Sequence, residues 1–172
     1  LWPEVEKWRP RMLEPWRSSV TVTKDTVKMT GLPGFAVART GRKENPEALQ
    51  GFHAENLLFL VDEASGIPDQ VFEVARGALS TPDARVIMAA NPTRTTGFFH
   101  HAFHRNRDSW ERFTFSCADS PLVAPEYLAE MEEEYGKDSD IYRVRVLGEF
   151  PKGGDLQFIP SSLVVQAQER YY

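Results

Sequence analysis

The stretch LLFLVDEASG, residues 57–66, places an unbroken apolar run directly before two carboxylates, Asp62 and Glu63. An apolar run of this kind is typical of a strand that is buried on both faces, as in parallel sheets with helices above and below. Ligands of open α/β sheets bind just beyond the carboxyl ends of such strands. The stretch therefore predicts a site at Asp62 and Glu63.

Adjacent carboxylates project in different directions and can take different roles. The pattern fits the metal-and-water half of a nucleotide-hydrolysing site, in which Asp62 holds Mg²⁺ and Glu63 orients and deprotonates an attacking water. The plainer interpretation is that Asp62 caps the next element and Glu63 lies in solvent. The two residues alone leave both interpretations open.

A second apolar run, ARVIMAANP at residues 84–92, predicts another buried strand that ends at Asn91 and Pro92. The carboxyl ends of neighbouring parallel strands meet at one edge of a sheet, so we expect Asn91 and Arg94 to lie near Asp62 and Glu63. There Asn91 can hydrogen-bond a phosphate or the attacking water, and Arg94 can meet negative charge. This second feature favours the hydrolytic interpretation.

The rest of the chain predicts an α/β arrangement in which strands alternate with helices. Residues 1–17 indicate an irregular helical segment that Trp2, Trp8 and Trp16 anchor to a core. Alternation predicts a hairpin over residues 18–31 and further strands at 34–39 and 111–116. Helices are predicted after Pro68, from Pro125 to Gly136 and from about Asp138 to Gly148.

Composition bounds the class of protein. The 172 residues are 41% hydrophobic and 26% charged, which is ordinary for one globular domain. No apolar run approaches a membrane span, the first residues lack the pattern of a signal peptide, and the single Cys117 excludes an internal disulfide and suits a reducing cytoplasm. The net charge of −5 argues against wholesale coating of nucleic acid. Local basic clusters still permit contact with a polyanion: Lys7, Arg9, Arg11 and Arg17; Arg39, Arg42 and Lys43; Arg94, Arg105, Arg107 and Arg112.

Three histidines in HHAFH raise the possibility of a metal site. His100 and His104 share one face of a helix at a spacing that can bind zinc. No third ligand is evident, and no glutamate follows in the metalloprotease pattern. We therefore favour a surface or DNA-facing helix over a zinc site.

Several segments, in order along the chain, closely resemble the large terminase subunit of tailed bacteriophages, an ATP-driven motor that packages DNA. The similarity covers roughly residues 36–170, and the segment YRVRVLGEFP is its most specific part. The matching segments are NPEALQGFHAENLLFLVDEASGIPD, ARVIMAANPTRTTGFFHHAF, DSP at 119–121, YGKDSDIYRVRVLGEFP and IPSSLVVQAQER.

The resemblance implies a RecA-like, additional-strand catalytic-glutamate P-loop NTPase core, with a mostly parallel sheet flanked by helices. It makes Asp62 the Walker B carboxylate for Mg²⁺ and Glu63 the catalytic glutamate. AANPTR, with Asn91, Thr93 and Arg94, becomes the coupling motif that senses phosphate and links hydrolysis to DNA movement. Relatives often carry a trans-acting arginine at the position of Gln50, and Arg39 and Arg42 are the nearby candidates here.

No phosphate loop of the form G-x-x-x-x-G-K-[ST] occurs in the chain, because GFAVARTGRKE has the wrong spacing and Glu44 follows Lys43. The resemblance therefore implies the second part of the ATPase domain at residues 1–150, followed by a linker toward a nuclease domain at 151–172. We expect the chain alone to hydrolyse no ATP.

The resemblance also implies ATP and Mg²⁺ as cofactors. The implied partners are double-stranded DNA, the small terminase subunit, the portal protein and further copies in a ring, with no membrane. The implied location is the host bacterial cytoplasm. Two alternatives stay open: a fragment of a superfamily 2 helicase or translocase, since DEAS resembles a DEAD-type box, and an inactive prophage remnant that acts only as a structural or interaction module.

Overall fold

The structure is a computed structural model that describes residues 2–41, 51–52, 54–78, 80–153 and 167. The chain divides into two compact units, Leu1–Gly41 and Arg42–Tyr172. Within the described ranges, no helix is both long and apolar enough to cross a bilayer. Each unit has its own secondary structure.

The first unit confirms the predicted hairpin and helical segment. Helix α1 (Trp2–Trp8), a 3₁₀ turn (Arg9–Arg11) and helix α2 (Trp16–Ser19) precede a three-stranded antiparallel sheet. The sheet consists of β1 (Val20–Val22), β2 (Thr26–Met29) and β3 (Phe35–Val37), in that spatial order. Val20 faces Met29, and Thr26 faces Val37, so the central strand pairs with both neighbours.

The prediction that the N-terminal tryptophans anchor this segment to a core is wrong for Trp8 and Trp16. Their side chains are 53% and 52% exposed. The guanidinium of Arg11 lies 4.5 Å from the centre of the Trp8 ring, which gives that indole a cation–π partner in place of a core. Because this contact occupies one face of the ring and solvent reaches the rest, the Trp8 indole stays half-exposed.

The basic cluster of this segment is largely neutralised. Its lysine and two of its arginines each contact a glutamate three residues earlier in the chain, so a polyanion would compete with pairs that already exist. The pairs are Lys7–Glu4 at 3.3 Å, Arg9–Glu6 at 3.1 Å and Arg17–Glu14 at 2.7 Å.

The second unit contains the predicted strand–helix–strand arrangement. Strand β4 (Asn56–Asp62) leads through a 3₁₀ turn (Ala64–Gly66) into helix α3 (Asp69–Ala78), and β5 (Asp83–Ala89) then returns parallel to β4. Helix α4 (Phe98–Phe103) follows the loop after β5. This is a mixed α/β arrangement with a two-stranded parallel sheet.

Helices α3 and α4 cover one face of the parallel sheet. Phe72 of α3 and Phe99 of α4 are buried with Ala64, and Val61 and Met88 of the two strands pack against them. The aromatic ring of Phe72 also stacks on that of Phe98, with centres 4.4 Å apart. This cluster fixes the loops that follow β4 and β5.

The prediction that both strands are buried on two faces is wrong for the described residues. Leu58, Leu60 and Ile87 are 54%, 70% and 56% exposed, and burial alternates along both strands. The physical reason is that α3 and α4 lie over one face, whereas no described element lies over the other. The apolar runs therefore predicted the parallel pairing of β4 and β5 correctly, but they did not predict that one face of this sheet is exposed.

Residues 111–116 are also not the strand that their alternation predicted, because they have no regular secondary structure and pair with no described strand. The predicted C-terminal helices are confirmed: α5 (Pro125–Tyr135) begins at a proline, and α6 (Asp140–Tyr142) continues as a π-helical segment (Arg143–Leu147). Met131, Tyr142 and Val146 form a second buried cluster.

Candidate functional site

The parallel register places the two sequence-predicted segments at one edge of the sheet. Asp62 is the last residue of β4 and pairs with Ala89, the last residue of β5, so Asn91 lies two residues beyond the partner of Asp62. Asp62, Glu63 and Asn91 are all exposed. The structure thus brings the ends of both strands together as the sequence predicted, and leaves their polar side chains accessible to a ligand.

Glu63 has an unusual backbone conformation. Its φ of 54° and ψ of 36° lie in the left-handed region, and no other described non-glycine residue has a positive φ. This conformation costs a non-glycine residue roughly 1–2 kcal/mol. The following 3₁₀ turn holds it, because the Glu63 carbonyl accepts a hydrogen bond from the Gly66 amide at 2.8 Å and Ala64 is buried. Strain of this kind concentrates at functional sites.

The carboxylate of Asp62 takes part in the same turn. Its Oδ1 accepts a hydrogen bond from the Glu63 amide at 3.0 Å. This bond engages one of the two carboxylate oxygens at the base of the Glu63 turn. Asp62 therefore has the local capping role of the plainer interpretation, and its second carboxylate oxygen takes no part in this bond.

Two hydrogen bonds join the segment that follows β4 to the segment that follows β5: one links the two loops, and the other links the first residues of α3 and α4. The hydroxyl of Ser65, a residue only 7% exposed, lies 3.1 Å from the hydroxyl of Thr93. Further along, Oδ1 of Asp69 accepts a hydrogen bond from the Phe98 amide at 2.8 Å, which caps the start of α4. The site segments are thus linked by bonds as well as by packing.

We expect Asp69→Ala to lower the free energy of unfolding by about 1–2 kcal/mol, because the Phe98 amide would lose its acceptor. Asp69→Asn keeps an acceptor oxygen and serves as the matched control, with a loss below about 0.5 kcal/mol. Urea denaturation of the chain measures both values. Equal stability of the alanine and asparagine variants would show that the bond to Phe98 carries little of the stability.

A cavity of about 350 Å³ adjoins these two links. Ser65, Asp69, Arg94, Thr96 and His101 are among its lining residues, whereas Asp62, Glu63 and Asn91 are not. Arg94 is exposed and lines this cavity. The predicted coupling residues therefore divide: Asn91 lies at the end of the sheet, Thr93 bonds to the loop after β4, and Arg94 borders the cavity.

The structure does not test the two predicted trans-acting arginines. Arg39 belongs to the first unit, where its guanidinium donates a hydrogen bond to the carbonyl of Ala38 at 3.1 Å. Arg42 and Gln50 lie outside the described residues. A role for either arginine stays a prediction.

The prediction that His100 and His104 share a helix face is correct only for the helical position of His100, because α4 ends at Phe103 and His104 directly follows it with φ −120° and ψ −93°. The two rings stack with centres 3.9 Å apart at 15°, and Phe150 meets both edge to face. Nδ1 of His104 lies 2.9 Å from the carbonyl oxygen of His100, so this nitrogen already has a partner within the chain. Burial, followed by the nearby His104 and His101, lowers the pKa of His100 to about 4. In the described part of the chain, no group of three or more potential ligands could hold a metal ion.

Sequence reasoning missed Ser65 and Asp69 as residues that organise the site. A serine and an aspartate just after a strand predict only local capping, and their partners lie far away along the chain, at Thr93 and Phe98. The segment YRVRVLGEFP, by contrast, is structural. Arg143 contacts Glu149 at 2.9 Å and donates a hydrogen bond to the carbonyl of Phe150.

Comparison with known proteins gives one informative match. The chain is 36% identical over 152 residues to a protein described as "Probable terminase, large subunit" from Enterobacteria phage P7. The match covers 82% of this chain and 31% of that relative, so the chain spans about a third of the relative's length. No protein-family model matches the chain.

Proposed function

The chain is related in sequence to part of a terminase large subunit, as the motifs predicted, and from that premise we propose that it acts in viral DNA packaging. In this proposal it supplies the metal carboxylate, the catalytic glutamate and the coupling motif of an ATP-driven motor. The observation that carries the proposal is Glu63, a strained residue at the end of a parallel strand. The fold proposed for the whole motor domain is a RecA-like core, to which β4 and β5 would contribute two adjacent strands.

Strain at Glu63 supports a catalytic role over a solvent-exposed bystander. A solvent-facing glutamate gains nothing from a left-handed backbone, and glycine would adopt it at no cost. The conformation turns the chain sharply after Asp62, so the two carboxylates leave the sheet edge in different directions. In the proposed reaction Glu63 orients the attacking water and accepts its proton.

The residues at this edge fit Mg²⁺ bound with ATP. Asp62 offers a hard oxygen ligand that the Glu63 amide does not occupy, and Mg²⁺ in ATPase sites is held by one or two carboxylates together with substrate phosphates. When bound, Mg²⁺ would neutralise charge on the phosphates during transfer. Asp62 would hold it, and Asn91 would hydrogen-bond the terminal phosphate or the attacking water.

Thr93 and Arg94 support the proposed coupling role because they connect the sheet edge to other parts of the unit. Thr93 bonds to Ser65 in the loop of the catalytic glutamate, and Arg94 borders the neighbouring cavity. A change at Asn91 would therefore reach both positions through a short loop. Arg39 or Arg42 acting on a neighbouring subunit's nucleotide completes this part of the proposal.

The proposed partners follow from the terminase relationship. They are double-stranded DNA, the small terminase subunit, the portal protein and further copies of the large subunit in a ring, in the host cytoplasm. Residues 1–150 would form part of the ATPase domain and residues 151–172 a linker toward a nuclease domain. Hydrolysis in this proposal needs a phosphate loop, and residues 1–172 contain none of the form G-x-x-x-x-G-K-[ST].

We expect Asp62→Asn, in a full-length terminase large subunit carrying this segment, to raise the Mg²⁺ concentration for half-maximal ATP hydrolysis at least about tenfold. Asp83→Asn is the matched control, since Asp83 is an exposed aspartate at the other end of the same sheet, where it contacts Arg85 at 4.0 Å. Initial rates over a Mg²⁺ titration give the measurement. Identical Mg²⁺ dependence of the two variants would reject Asp62 as the metal carboxylate.

A further inference from the structure

We propose that Ser65 is a positioning residue for hydrolysis, because its hydroxyl contact with Thr93 fixes the catalytic-glutamate turn against the coupling loop. This inference rests on the proposed ATPase function. Ser65 occupies the 3₁₀ turn that starts directly after Glu63, and Thr93 lies two residues after Asn91. The 3.1 Å contact thus joins the two segments that must meet the same terminal phosphate.

The geometry makes this contact a restraint on Glu63. The backbone bonds of Gly66 and Ile67 stay within the turn itself, because their amides donate to the carbonyls of Glu63 and Ala64. Ala64 is buried in an apolar cluster with Phe72 and Phe99, against which Met88 of β5 also packs, and such packing is not directional. The Ser65–Thr93 contact adds a directional polar restraint toward the loop after β5.

Burial makes the restraint stiff. Ser65 is only 7% exposed, so water cannot readily replace a lost partner, and a buried hydroxyl without one is costly. A second hydrogen bond, between Asp69 and the Phe98 amide, connects the same two segments farther from Glu63. Gly97, with φ 93°, lies beside the Asp69 carboxylate. Loss of the Ser65 hydroxyl therefore leaves the loops connected, yet frees the part nearest Glu63.

The test is a series of variants in a full-length terminase large subunit carrying this segment, assayed for ATP hydrolysis. Because a small misplacement of a catalytic group slows the reaction strongly, we expect Ser65→Ala to lower kcat about 10- to 100-fold and to change KM less than about threefold. Ser116→Ala is the matched control. Its hydroxyl also makes a long-range hydrogen bond, to the carbonyl of Val146 at 3.2 Å, but in the other buried cluster, so kcat should stay within about twofold of wild type.

The double variant Ser65→Ala, Thr93→Val separates positioning from stability. Thr93→Val alone leaves the buried Ser65 hydroxyl without this partner, so we expect it to lower Tm by about 3 °C and the double variant to regain most of that loss. The kcat of the double variant should nevertheless stay low, because the restraint is still missing. If kcat recovers together with Tm, the contact is only structural and the inference is overturned.

Glu63→Gln in the same series distinguishes failure of this inference from failure of the proposed function. If Glu63→Gln abolishes hydrolysis while Ser65→Ala retains wild-type kcat, the inference about Ser65 fails and the proposed function stands. If Glu63→Gln itself retains wild-type kcat, the proposed function fails and the inference fails with it.

Discussion

Gly148→Ala is expected to destabilise the chain by about 3 kcal/mol or more, because backbone strain and a steric clash act together. Gly148 ends the π-helical segment with φ 66° and ψ 24°. A Cβ atom there would lie 2.5 Å from the carbonyl oxygen of Phe115, which is backbone and cannot rotate away. Such a loss is a large part of the roughly 5–15 kcal/mol that stabilises a typical domain.

Gly77→Ala gives the matched control for this prediction. Gly77 lies in α3 with ordinary helical φ, and an added Cβ would meet no atom within 4 Å. The same substitution should therefore stabilise the chain by about 0.5–1 kcal/mol through helix propensity. Urea or thermal denaturation measures both variants, and a Gly148→Ala variant as stable as wild type would show that the backbone around Phe115 moves freely.

The placement of the site could be predicted from the sequence because it depends on local pattern. The apolar run before Asp62 and the second run before Asn91 predicted two strands, and the parallel pairing follows from the helix between them. In the structure Asp62 and Ala89 end the two strands side by side. Side chains that directly follow parallel strands must share an edge, whatever the rest of the fold.

Whether both faces of the sheet are buried could not be predicted in the same way. Apolar residues at Leu58, Leu60 and Ile87 favour burial, but burial depends on whether another element lies above them. Alternation in residues 111–116 likewise favours a strand, yet a strand exists only with a partner to bond. The pairing of a strand and the burial of a sheet face depend on residues far away in the sequence, so the local residue pattern alone does not determine them.

The links that organise the site were missed for a related reason. Ser65 and Asp69 bond to partners on the loop after β5, and such contacts arise only once the strands are paired. The left-handed conformation of Glu63 also could not be predicted from the residue pattern, because glutamate rarely adopts it. Backbone strain of this kind has to be observed in the structure, because it does not follow from the conformational propensity of the residue.

The largest expected effect belongs to Glu63→Gln in a full-length terminase large subunit that carries this segment. Glutamine keeps the size and the left-handed backbone of the residue, but its amide cannot accept the proton of the attacking water. We therefore expect kcat for ATP hydrolysis to fall by about 10³-fold, within the range that general-base catalysis contributes. ATP affinity should change less than about threefold, since Glu63 does not hold the phosphates in the proposed site.

Glu73→Gln is the matched control for this effect. Glu73 is an exposed glutamate of α3 in the same unit, with an ordinary backbone, and it lies outside the proposed site. The same change of a carboxylate to an amide there should leave kcat within about twofold of wild type. The comparison removes any general effect of one lost negative charge.

The most direct measurement is therefore the rate of ATP hydrolysis together with the Kd for ATP, in wild type, Glu63→Gln and Glu73→Gln. The proposed role predicts that Glu63→Gln alone loses hydrolysis and that all three proteins bind ATP with similar Kd. Hydrolysis at the wild-type rate in Glu63→Gln would contradict it.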